Sequence, residues 1–83
     1  MHEYSLVQAM FDQIGEVMRA HRAVSVRRVR VRIGDCAGVE PALFQTAYEV
    51  FRVQTACEDA PLEIERVAAG DDLTLAQLEL EVP

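Results

Sequence analysis

Apolar residues recur through the first part of the chain at Tyr4, Val7, Met10, Phe11, Ile14, Val17 and Met18, the spacing of one helical face. Asp12, Gln13, Glu16 and Arg19 fall off that stripe. Ser5 and Gln8 have capping-box spacing, so Ser5 is the expected N-cap and the helix should run to about Ala20. His21 then falls at or just past its end as a surface residue, where a protonated imidazole suits the helix dipole. The pattern next changes period. Arg28-Val29-Arg30-Val31-Arg32-Ile33 alternates strictly and predicts a half-buried strand, with the valines and Ile33 inward and the arginines outward. Gly34-Asp35-Cys36-Ala37-Gly38 ends it in a glycine-bounded loop. Pro41 opens a second helix, expected to end near Gln54, with Leu43, Phe44, Ala47, Tyr48, Val50 and Phe51 as its apolar stripe.

Two further alternating stretches follow, Leu62-Glu63-Ile64-Glu65 and Leu78-Glu79-Leu80-Glu81-Val82. The second is continued backwards by Leu73 and Leu75, but out of phase, and a bulge near Ala76-Gln77 would restore one face. These elements predict an α+β domain, with two helices packed on one face of a three-stranded mixed sheet in the order α-β-α-β-β. A helix joins the first two strands, so they should be parallel. Two cues disagree about strand order. The short connection 67–72, with its Gly70-Asp71-Asp72 turn signal, suggests a hairpin of the last two strands. The charges instead favour the Arg strand in the middle, with Glu rows on both sides forming cross-strand pairs on one solvated face. That pairing also competes with reading the Arg row as an anion site.

The 83 residues, 51% hydrophobic and 27% charged, fit a single small domain, 1–83, with a modest core. A net charge of −6 disfavours nucleic acid as a partner. No apolar run approaches the roughly 20 residues that span a bilayer. The amino terminus carries neither the basic n-region nor the apolar h-region of a signal peptide, so a cytoplasmic location is expected. In that compartment Cys36 and Cys57 should be reduced thiols. Cys36 reads either as a reactive loop thiol or as a small buried residue. Neither cysteine belongs to a CxxC pair, and no zinc is expected in this chain. No nucleophile–base pair, phosphate loop or cofactor fingerprint is present, and no enzymatic activity is expected.

Chemistry is concentrated at Met1-His2-Glu3. A free amine, two backbone amides and an imidazole form the nitrogen set that square-planar Ni(II) or Cu(II) prefers. The set requires a true amino terminus, because an upstream residue converts the amine to an amide.

Met1-His2-Glu3-Tyr4-Ser5-Leu6, Val29-Arg30-Val31-Arg32-Ile33-Gly34, Gly38-Val39-Glu40-Pro41 and Tyr48-Glu49-Val50 together resemble the HypA/HybF hydrogenase nickel-insertion accessory proteins. The resemblance continues through Leu62-Glu63-Ile64 and the tail from Asp71 to Val82. It implies a nickel metallochaperone for [NiFe]-hydrogenase maturation. In that family the nickel donors are the Met1 amine, the His2 and Glu3 amides and the His2 imidazole, with an acidic neighbour at the Glu40 position. The implied partners are the maturation GTPase HypB and the hydrogenase large-subunit precursor. The family normally carries a zinc lobe between its last two strands; here the short connection 67–72 stands in its place, through engineered deletion or natural variation. Loss of a lobe leaves strand edges open, which invites a homodimer. The alternative reading is a metal-free protein-interaction module that keeps only the fold and the partner surface.

Overall fold

The computed structural model describes residues 2–83 and contains five elements: α1 (His2–His21), β1 (Ser25–Gly34), α2 (Pro41–Phe51), β2 (Leu62–Val67) and β3 (Leu73–Glu81). The order and the α+β class match the reading of the hydrophobic pattern. The sheet order is β2-β1-β3, with β1 parallel to β2 and antiparallel to β3. This is the order that the charge pattern favoured, not the hairpin that connection length suggested. Arg30 and Arg32 stand opposite Glu63 and Glu65, and Arg28 opposite Glu79. Their ion pairs measure 3.2–3.4 Å, with Glu63 reaching both Arg28 and Arg30. Each pair is exposed and contributes only about 0.2–1 kcal/mol, so its main effect is on register. With their charges engaged by glutamates, the Arg row is not an open anion site.

Placing β1 in the centre forces the β2–β3 connection to cross the end of β1, and glycine permits it. A Cβ on Gly34 would lie 2.2 Å from the carbonyl carbon of Gly70 and 2.8 Å from the Asp71 nitrogen. Gly34 N–H donates to Asp72, Asp35 N–H to Val67 and Cys36 N–H to Gly70, at 2.7–2.9 Å. These bonds seat the crossover on β1. The phase slip in β3 is absorbed as expected: Arg30 pairs with Gln77 and Val31 with Leu75, leaving Ala76 as the extra residue. A second irregularity, between Val26 and Arg28, was not foreshadowed by the alternation.

The core joins Val7, Met10 and Ile14 of α1 to Val29, Val31 and Ile33 of β1 and to Phe44, Ala47 and Tyr48 of α2. Both helices thus cover the face opposite the arginines. Local details correct three expectations and decide between two readings of Cys36. Helix α1 begins at His2, so Ser5 lies inside it rather than at its N-cap. Helix α2 stops at Phe51, short of Gln54, whose positive φ of 62° cannot continue a helix. Leu43 and Val50 face solvent, because burial of Phe44, Ala47 and Tyr48 turns them outward. Cys36 is exposed in the turn after β1, not buried; Cys57 is buried, and both thiols are free. Helix α1 ends in a Schellman motif: Ala23 N–H donates to Met18 and Arg22 N–H to Arg19, with Arg22 left-handed at φ 54°.

Candidate functional site

The amino-terminal turn of α1 lies against the start of α2. Helix formation from His2 leaves the backbone N–H groups at the very start of α1 without intrahelical acceptors. The His2 and Glu3 amides are among them. His2 itself is exposed. Met1, whose amine is one of the four expected donors, lies outside the described residues.

Glu40 has the extended backbone imposed by the following proline, with φ −85° and ψ 113°, and acts as the N-cap of α2. Its Oε1 accepts the Ala42 N–H at 3.2 Å. Its own backbone N–H donates to Oε2 of Glu3 at 3.3 Å. The structure thus brings together Glu3 and Glu40, two residues 37 positions apart. Hydrogen bonding from its own backbone amide, then from that of Glu40, holds the Glu3 carboxyl below its ordinary value.

Beside this contact, the Tyr4 ring lies 5.7 Å from that of Phe51 at the other end of α2. Phe11 completes an aromatic row, 6.2 Å from Phe51 and 5.7 Å from Tyr48. Tyr48 is anchored in turn: its hydroxyl donates to the Ala60 carbonyl at 2.6 Å, and burial raises its pKa. Sequence periodicity put Tyr4 on the apolar stripe but did not reveal that it ties the first turn to α2. His21, the last residue of α1, is exposed.

Among the described residues no group of three His, Cys, Asp or Glu side chains gathers to hold a metal ion. No helix among them is long and apolar enough to cross a membrane.

Residues 1–79 match a family described as "Hydrogenase/urease nickel incorporation, metallochaperone, hypA". The chain is 45% identical over 62 residues to the hydrogenase maturation factor HypA of Shewanella oneidensis, a stretch covering 75% of this chain and 52% of that protein. It therefore spans about half the length of that relative. With HypA of Shewanella baltica it shares 31% identity over 113 residues, covering 98% of this chain and 97% of the relative. HypA of Nitrosospira multiformis is 38% identical over 82 residues, covering 99% and 71%. The fold is that of the solution structure of the Ni metallochaperone HypA from Helicobacter pylori, with a TM-score of 0.87 at 22% identity and 98% coverage of each chain. The chain belongs to the HypA family.

Proposed function

We propose that this HypA-family chain is a nickel metallochaperone domain that holds Ni(II) at its free amino terminus for insertion into [NiFe]-hydrogenase. The observation that carries this reading is the start of α1 at His2. The two amides required as ligands make no backbone-to-backbone bond of the helix ladder, so they can lose their protons to a metal without costing the helix a rung. Proton loss also answers an electrostatic objection. A helix N-terminus carries partial positive charge and repels cations. Two amidate nitrogens balance the charge of Ni(II), and the carboxylates of Glu3 and Glu40 lie at this end of the helices.

The donors are the Met1 amine, the His2 and Glu3 backbone nitrogens and the His2 imidazole, with Glu40 as the acidic neighbour. The role is delivery rather than turnover. Nickel is the cargo, and its exchange partners are the maturation GTPase HypB and the hydrogenase large-subunit precursor, in the cytoplasm. The crossover 67–72 takes the place of a zinc lobe, so this chain handles nickel without a structural zinc.

His2→Ala tests the reading, because it removes one donor from an exposed position and leaves the core intact. Nickel binding should be lost while the circular dichroism spectrum and the melting temperature stay unchanged. Glu40→Ala should weaken nickel binding without unfolding the domain. Unchanged nickel binding by His2→Ala would refute the site and favour a metal-free interaction module.

A further inference from the structure

Helix α2 has an incomplete N-terminal cap of its own. In a capping box, the residue three positions after the N-cap carries a Glu or Gln that reaches back to the N-cap's backbone N–H. Counting from the N-cap Glu40, that position is Leu43, which has no acceptor and points to solvent. Glu40 performs one half of the box by accepting the Ala42 N–H. The other half comes from a different helix: Oε2 of Glu3 accepts the Glu40 N–H at 3.3 Å. Glu3 lies in the first turn of α1 and reaches the cap of α2, so its carboxylate sits at the N-terminal ends of two helices, where a negative charge is favoured at each.

We infer that the Glu3 side chain is a positioning residue for nickel, a role separate from that of its backbone nitrogen as a donor. This inference rests on the amino-terminal nickel reading above. By tying the first turn of α1 to the cap of α2, the carboxylate restrains the peptide nitrogens that must form a square around the ion. A donor set fixed before binding loses less conformational freedom on capture, which raises affinity. The Tyr4–Phe51 ring contact restrains the next residue of the same turn. The carboxylate itself is not a ligand.

The test compares the tag-free wild-type chain with Glu3→Ala and Glu3→Gln, both of which keep the backbone nitrogen. Three quantities are read: nickel affinity by competition with a chromophoric chelator, the visible spectrum of the nickel complex, and hydrogen exchange of the Glu40 amide without metal. Glu3→Ala should leave the spectrum unchanged, lower affinity about tenfold and speed Glu40 exchange. Glu3→Gln, whose amide oxygen can accept the same N–H, should restore much of both. A changed spectrum for Glu3→Ala would make the carboxylate a ligand and overturn the inference. So would unchanged affinity, or Glu40 exchange as slow as in the wild type. If the wild-type chain binds no nickel, the site itself is refuted, and the exchange comparison still reads the tie between the helices.

Discussion

Gly34→Ala should be among the most damaging single-methyl additions this chain can receive. The added Cβ would lie 2.2 Å and 2.3 Å from the carbonyl carbon and oxygen of Gly70, and 2.8 Å from the Asp71 nitrogen. All three are backbone atoms, so no side chain can swing away. The crossover 67–72 must lift from the end of β1 by more than an ångström. Overpacking of this kind costs about 1–3 kcal/mol. Lifting also strains the bonds from Gly34 N–H to Asp72 and from Cys36 N–H to Gly70, each worth about 1 kcal/mol. A loss of about 3–5 kcal/mol is expected, against a total stability of roughly 4–12 kcal/mol for a domain of this length. Gly70→Ala is the internal control. Its Cβ would meet Gly34 Cα at 3.1 Å and a Val67 methyl at 3.3 Å, contacts relieved by small shifts at a cost below about 1.5 kcal/mol. Equilibrium urea unfolding, followed by circular dichroism, measures both variants. Gly34→Ala within about 0.5 kcal/mol of wild type, or Gly70→Ala the more damaging of the two, would refute the crowding explanation.

Three other outcomes follow from the geometry. Arg22 closes the Schellman motif of α1 in the left-handed region, where a side chain is strained and glycine is not, so Arg22→Gly should raise stability by about 0.5–1 kcal/mol in the same urea assay. Cys36 is exposed and Cys57 buried, and burial raises the Cys57 pKa above its ordinary 9.0. Iodoacetamide at mildly alkaline pH should therefore label Cys36 alone in the folded chain; because the fold favours the neutral Cys57 thiol, stability should decline as pH rises past 9.0. Nickel affinity should fall at least about a hundredfold per unit drop in pH, since two amide protons leave with each ion bound, and a chelator competition series between pH 7 and pH 8 reads that slope.

Most of the fold was legible because its two periods are clean. The three-to-four spacing from Tyr4 to Met18 and the alternation from Arg28 to Ile33 each give one element and its buried face. Strand order stayed open, because the charges of the Arg row and the two Glu rows pointed to the observed order and connection length pointed the other way. What pattern could not show was that Gly34 and Gly70 meet, which makes so short a crossover sterically possible. The ends of helices were read less well. Ser5 and Gln8 have the spacing of a capping box, yet the helix passes through Ser5, because hydrogen bonding and packing from His2 onward override a local signal. Leu43 and Val50 share the apolar character of α2 but lie outside its buried arc. Of the proposed site residues, His2 and Glu3 stood out by type and order beside Met1, whereas Glu40 was marked only by the family resemblance. The contact between Glu3 and Glu40 did not stand out, although Leu43 in the place of a capping Glu is a local sign that α2 needs an acceptor from elsewhere.

The proposed nickel site depends on the nitrogen of a free amino terminus, and a single added residue removes it. A nickel titration of the tag-free chain, followed by visible absorption, should be run beside the same chain with one extra residue before Met1. The native terminus should give a low-spin square-planar spectrum saturating at about one equivalent and the extended chain none, because the extension turns the amine into an amide and displaces the donors. Equal binding by both chains, or no binding by the native terminus, would contradict the proposed site.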